Sequence, residues 1–235
     1  MLNYDYVTVW ENAYGKTNVR VLMAKNLKGE VMGGVVAINR KDYTQVGTYY
    51  VKEEYRYSGI GSKLFREVLK NKPGVFQAVH ILLPTINKFD LKESYGRRFN
   101  HVKIENPSGF PDLQETMPNC RVVLSDSFSQ EDWEAITVFD REVCGEARSI
   151  RELLQLEDSH TAAVFSEANA ACLGFGISKE LVGDTVRRLV IGPLYAVEAQ
   201  VAEVITRAVL KAFYENVIYS EIENIDRTSR RVKGG

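Results

Sequence analysis

Tyr49-Tyr50-Val51-Lys52-Glu53-Glu54-Tyr55-Arg56-Tyr57-Ser58-Gly59-Ile60-Gly61-Ser62-Lys63-Leu64-Phe65 is the stretch that decides the fold. Thr48 to Val51 are aromatic or β-branched, which suits a strand. From Ile60 onward the apolar residues fall at Ile60, Leu64, Phe65, Val68 and Leu69, a helical stripe. Between strand and helix stands Arg56-x-x-Gly59-x-Gly61. Glycines at the mouth of a helix let backbone N–H groups approach a bulky anion, and the helix N-terminus adds partial positive charge. Two common phosphate loops do not fit. A Walker loop places Lys-Ser/Thr directly after its second glycine, where this chain has Ser62-Lys63. A Rossmann turn wants a third small residue where Leu64 stands. The plain alternative is a strand–turn–helix whose glycines serve packing.

Arg56-x-x-Gly59-x-Gly61, following the exposed strand end Lys52-Glu53-Glu54-Tyr55, resembles motif A of the GNAT acetyltransferases. The resemblance implies a loop that holds the pyrophosphate of acetyl-CoA on backbone N–H groups across Tyr57, Ser58, Gly59, Ile60, Gly61 and Ser62. It makes Arg56 a residue that holds the loop or meets phosphate, with a solvated turn residue as the alternative. It also implies a backbone N–H near Val51 to polarise the thioester carbonyl, a task that needs one well-aimed donor in a dry site. Downstream, Val75 to Leu83 reads as the next strand, closed by Pro84. Asn87 then stands near the place of the family's asparagine and would bond the pantetheine arm; a turn-forming Asn is its alternative. Tyr95 stands near the family's tyrosine and would be the acid for the leaving thiolate; a buried helix tyrosine is its alternative. Asn100-His101 replaces the family's Gly-Phe, with one extra residue after the tyrosine.

A base for the amine is less evident. Many GNAT enzymes use a carboxylate within the strand before the loop. Here that strand offers Gln45, Thr48, Tyr49 and Tyr50, with Glu53 and Glu54 at its exposed end. The amine proton leaves through water, or the acceptor arrives neutral. His80, His101 and His160 have no partners at metal or triad spacing; His80, within a strand, is either a base or a structural histidine.

The 235 residues suit two small domains better than one. With 30 Lys+Arg against 31 Asp+Glu there is no single-sign field to recommend nucleic acid or an anionic membrane as partner. No apolar run approaches the ~20 residues of a membrane helix, and Met1 to Asp5 does not start a signal peptide. Cys120, Cys144 and Cys172 are scattered without a CxxC, which argues for a reducing, intracellular and most simply cytoplasmic setting, without a zinc site.

Residues 1–106 read as a GNAT domain with an abbreviated start, since only about 18 residues precede the first clear strand. Residues 5–14 read either as a strand or as a short helix ended by Gly15. Val19 to Lys25 and Val31 to Asn39 form a hairpin around Asn26-Leu27-Lys28-Gly29. Gly33 and Gly34 within it predict a bulge or a close backbone approach. Residues 107–119 read as a linker, and 120–235 as a second GNAT-like domain with a trimmed end and a disordered tail from Arg227. In that second copy Ile191-Gly192-Pro193-Leu194-Tyr195-Ala196 stands where motif A would be, and Val197-x-x-Gln200-x-Ala202 replaces Arg-x-x-Gly-x-Gly. A long helix is predicted over Val197 to Tyr214, with Val197 among its inward residues.

The expected fold class is α/β, an α+β mixed sheet, as two consecutive GNAT copies. The expected function is acetyl-CoA-dependent N-acetyl transfer to a primary amine by direct attack in a ternary complex. Acetyl-CoA is the co-substrate and no metal is expected. The acceptor is a small-molecule or protein amine; the oligomeric state is not indicated. A non-catalytic CoA-binding or interaction protein on the same fold is the alternative.

Overall fold

The computed structural model describes residues 7–41, 43–70, 77–79, 113–182 and 187–232. The chain divides into two compact units, Asp5–Phe110 and Pro111–Gly235.

The first unit begins with helix α1 (Val7–Tyr14), so the ambiguous opening stretch is helical. Gly15, with φ +85°, closes it by donating to the carbonyl of Glu11 at 2.8 Å. Strands β1 (Val19–Lys25), β2 (Val31–Asn39) and β3 (Thr44–Val51) form an antiparallel meander. The β1–β2 turn is built by Asn26, whose Oδ1 accepts from the N–H groups of Lys28 and Glu30 at 2.9 and 3.0 Å. Helix α2 (Ile60–Leu69) follows β3 and returns the chain to β4 (Gln77–Val79), which lies parallel to β3. Leu64 and Val68 of α2 are buried against Val35, Ala37 and Val46 on one face of the sheet. On the other face Val7, Trp10 and Tyr14 of α1 pack on Val19, Val36 and Ile38.

Strand β3 carries a bulge. Gly34 pairs with Tyr50 and Val36 with Gly47, so Thr48 and Tyr49 together oppose Val35. The extra residue changes which side chains face α2. Strict alternation from Val46 would put Thr48 and Tyr50 on the helix side. Instead Tyr49 joins the α2 cluster and Tyr50 is exposed.

The described part of the second unit opens with residues 113–117, whose start is bonded to helix α5 (Ala199–Val232). The N–H of Gln114 donates to Glu203 at 2.9 Å, and Arg207 donates to the carbonyl of Leu113 at 3.0 Å. Strands β5 (Cys120–Leu124), β6 (Ser159–Ser166), β7 (Cys172–Val182) and β8 (Arg187–Ala196) form an antiparallel sheet in that order. Helices α3 (Gln130–Cys144) and α4 (Ile150–Leu154) pack with Phe165 and Phe175 on one face. Each of these fully buried aromatics contributes about 1.5–3 kcal/mol of transfer free energy. Ser129 and Asp132 form a reciprocal capping box at the start of α3, as their spacing suggests. On the other face Val201, Val204, Ile205 and Val209 of α5 are wholly buried.

Two details of α5 differ from expectation. Val197 lies before the helix and is exposed. The helix also runs on to Val232, through the segment read as a disordered tail; no glycine or proline interrupts the sequence before Gly234.

The two units repeat one motif. β1-β2-β3-α2 and β6-β7-β8-α5 share strand order, and both third strands carry a one-residue bulge. Ile191, Leu194 and Ala196 of β8 face α5, with the same three-then-two step as Val46, Tyr49 and Val51. A Cβ at Gly33 would lie 2.7 Å from the carbonyl oxygen of Tyr50, and one at Gly174 would lie 2.6 Å from that of Tyr195. The close backbone approach predicted at Gly33 thus occurs, and Gly174 repeats it in the second copy.

Candidate functional site

The site grows from the end of β3. The N–H of Lys52 donates to the carbonyl of Met32 at 2.9 Å, so Lys52 and Met32 are a hydrogen-bonded pair and Val51 and Gly33 the neighbouring non-bonded pair. The N–H and the C=O of Val51 therefore both point away from β2, toward the side on which β4 pairs. Among the described residues β4 meets β3 only at Thr44–Val46. The Val51 carbonyl is engaged on that edge by Arg56, whose Nε donates to it at 3.2 Å. Arg56 is itself exposed, and this bond ties it to the strand end that it follows.

Lys52 to Gly59 connect β3 to α2. Glu53–Tyr55 form one 3₁₀ turn, and Ser58 Oγ donates back to the carbonyl of Tyr55 at 2.6 Å. Tyr57 has φ +66° and is 93% exposed, so its ring stands out from the loop. Gly59 caps α2 with φ +84°, and nothing lies within 4 Å of where its Cβ would be. Glycine is required there by backbone conformation rather than by crowding. The first helical bond is from Lys63 N–H to the carbonyl of Gly59 at 3.0 Å. The N–H groups of Ile60, Gly61 and Ser62 thus precede any intrahelical acceptor.

Gly61 has a different reason. A Cβ there would strike the hydroxyl of Tyr49 and lie 3.3 Å from Cγ2 of Val51. The Cβ direction at Gly61 points inward, onto β3, so a side chain there would crowd the fold itself.

Ser58, Gly59, Ile60, Lys63, Arg66 and Glu67 line an open cleft of about 420 Å³ at the start of α2. Two cations, Lys63 and Arg66, three residues apart in α2, line the cleft together with the carboxylate of Glu67. N–H groups without intrahelical acceptors and the positive end of a helix dipole are features that could receive an anionic group. The sequence reading missed Lys63 and Arg66, although their spacing in the helical stripe was the available signal. It named Tyr49 only as a strand residue without a carboxylate. Asn87, Tyr95, His80 and His101 lie outside the described residues.

The second unit lacks this arrangement. Only Val197 and Glu198 separate β8 from α5. Pro193, read from the sequence as part of a degenerate loop, lies within β8 at the bulge, after a cis Gly192–Pro193 bond. On the α3 face, Arg148 forms a bidentate pair with buried Asp140, at 2.6 and 2.9 Å. Tyr195 packs edge-on against Phe175 at 5.5 Å, and burial pushes its hydroxyl pKa up. Burial also pushes the Cys172 thiol up to about 12, which leaves it an inert core residue. His160, the histidine among the described residues, packs against Phe213, and burial lowers its pKa. Among the described residues no group of His, Cys, Asp or Glu could hold a metal ion, and no helix is long and apolar enough to cross a membrane.

The first unit is a mixed-sheet α/β module with a strand end, a glycine-capped helix and an open cleft lined by Lys63, Arg66 and Glu67; the second repeats its frame without the loop. The sequence model described as "Acetyltransferase (GNAT) family" matches residues 3–82, and that described as "Acetyltransferase (GNAT) domain" matches residues 136–231. The chain belongs to the GNAT acetyltransferase family, with two GNAT domains in tandem. Among solved structures it is similar to a tandem GNAT protein from the clavulanic acid biosynthesis pathway, at 11% identity and a TM-score of 0.50 over 85% of this chain and 71% of that one. It is similar also to a candidate acetyltransferase from Pyrococcus horikoshii, at 19% identity and a TM-score of 0.50 over 88% of this chain and 72% of that one. At these identities the likeness is one of fold. No curated protein matches in sequence. The family supports acyl transfer, with an acyl-CoA and an acceptor as the two substrates.

Proposed function

We propose that the chain is an N-acetyltransferase that moves an acetyl group from acetyl-CoA to a primary amine, by direct attack in a ternary complex formed on the first unit. The observation that carries the proposal is the outward-facing Val51 peptide beside a loop tied to it by Arg56 and capped into α2 by Gly59. In this reading the N–H groups from Tyr57 to Ser62 hold the diphosphate, with Lys63 and Arg66 adding charge at its rim. Bound acetyl-CoA supplies an activated thioester. The Val51 N–H is the proposed donor to the thioester carbonyl, a contact that strengthens as negative charge develops there. Asn87 is proposed to hold the pantetheine arm, and the Tyr95 hydroxyl to hold a proton for the departing sulfur; both assignments rest on the sequence alone. The acceptor is proposed to be a small-molecule or protein amine.

The second reading is a CoA-binding or interaction protein without turnover. It is favoured by β3 itself, which carries no carboxylate or histidine from Thr44 to Val51 to serve as a base. An amine panel assayed by release of free thiol from acetyl-CoA separates the two. Thiol release that depends on an added amine supports the transferase. Tight CoA binding with no amine-dependent release overturns it in favour of the binding protein.

A further inference from the structure

The contact between Tyr49 and Gly61 joins the two pieces whose spacing matters most. Tyr49 stands two residues before the Val51 peptide. Gly61 stands in the first turn of α2, among the N–H groups aimed at the cleft. The β3 bulge turns Tyr49 toward α2, and its ring packs edge-on against Phe65 with centroids 6.1 Å apart. From there its hydroxyl occupies the space that a Cβ at Gly61 would fill, while Cζ would lie 3.2 Å from that Cβ. Burial raises the pKa of Tyr49, so the hydroxyl remains neutral and compact. In the second unit the corresponding strand position is Leu194, with no hydroxyl, and there Val197 and Glu198 alone lead into the helix. The hydroxyl–glycine pair therefore accompanies the long loop and is absent from the copy that lacks it.

We infer that Tyr49 is a positioning residue for the acyl-donor loop: its hydroxyl, lodged against Gly61, sets the separation between the first turn of α2 and the strand end at Val51. The inference rests on the acyl-CoA reading of that loop. One end of the donor would be gripped at the α2 turn and its reacting carbonyl met at Val51. A change in their spacing misplaces the carbonyl even when the anion is still held, and sub-ångström to ångström misplacements lower rates steeply.

The test is a cycle of Gly61→Ala, Tyr49→Phe and the double variant, read by CoA calorimetry, steady-state kinetics and unliganded melting. Tyr49→Phe keeps the ring on Phe65 and is expected to lower kcat about fivefold while changing KM for acetyl-CoA by less than about twofold. Gly61→Ala forces a methyl into the hydroxyl and is expected to weaken CoA binding about tenfold or more. In the double variant the methyl takes the place the oxygen left. Affinity and kcat are expected to return to within about threefold of the unaltered chain, better than Gly61→Ala alone. If Gly61→Ala does not fold, recovery of a folded, CoA-binding chain in the double variant is the same rescue. Additive losses in a chain that binds CoA would overturn the pairing and leave the acyl-CoA reading standing. Rescue in the unliganded melts, with no CoA affinity in the unaltered chain, would overturn the acyl-CoA reading and with it the positioning role, while confirming the contact.

Discussion

Arg56 closes the loop onto the strand it leaves, its Nε donating to the Val51 carbonyl at 3.2 Å. The bond spans five residues and fixes the carbonyl side of Val51, the residue whose N–H is proposed to meet the substrate. Both the side chain and the bond are solvent-exposed, so its net contribution to stability is on the order of 1 kcal/mol or less. Its proposed value is geometric. Arg56→Ala is expected to reduce kcat/KM for acetyl-CoA about fivefold to tenfold. The melting midpoint should move little. Unchanged kinetics would show that Val51 is held without it.

Gly59 carries backbone strain for any other residue. Its φ of +84° and empty surroundings mean that alanine meets no atom but must adopt a left-handed conformation. Gly59→Ala should destabilise the first unit by about 1–2 kcal/mol. Denaturant unfolding measures this directly. A neutral result would mean that the loop relaxes to negative φ, and acetyl-CoA affinity should then fall instead.

Lys63 and Arg66 flank the cleft without belonging to the core. Reversing either charge should weaken acetyl-CoA binding about tenfold at low salt, with a smaller effect at high salt as screening grows. Cooperative melting should persist. Titrations in which both reversals bind as tightly as the unaltered chain would move the diphosphate away from this helix face.

One acetyl-CoA per chain is expected. The connection of Val197 and Glu198 leaves no cradle between β8 and α5. Saturating ligand at a hundredfold excess over Kd should raise stability by about 2.7 kcal/mol. Calorimetry giving two equivalents per chain would reject this division between the domains.

Asp132 predicts a pH dependence in the second domain. Its hydrogen bond from Arg121 holds the carboxyl below its ordinary value of 3.8; burial opposes this, and the Ser129 N–H assists. A depressed pKa contributes stability that is present above the unfolded value and lost as pH falls through the folded one. Melting midpoints should therefore drop below about pH 4. Asp132→Asn should flatten that slope while lowering stability near neutrality. Parallel profiles for the two chains would assign the acid sensitivity to other carboxylates.

Much of the fold was legible because it follows from local chemistry. The Asn26–Gly29 turn, the Ser129 capping box and the apolar stripe of α2 each come from residues a few positions apart. The loop was legible too, since Gly59 and Gly61 interrupt a strand-to-helix pattern that tolerates few glycines. Pro193 fits a strand and a loop alike in the sequence, because a bulge inside a strand accommodates a break in regular pairing as well as a loop does.

By itself the sequence determined two copies of a hairpin–strand–helix frame, the glycine-bearing loop in the first, and its absence in the second. Those are properties of period, turn residues and spacing, which act over short distances. Only the tertiary structure decided which tyrosine of Tyr49-Tyr50 faces the helix. The answer depends on one extra residue in the pairing of β3 with β2, and a strand's own alternation cannot reveal where its partner skips. The same pairing decided that Gly61 answers to the Tyr49 hydroxyl, a contact made only when α2 folds back over the sheet.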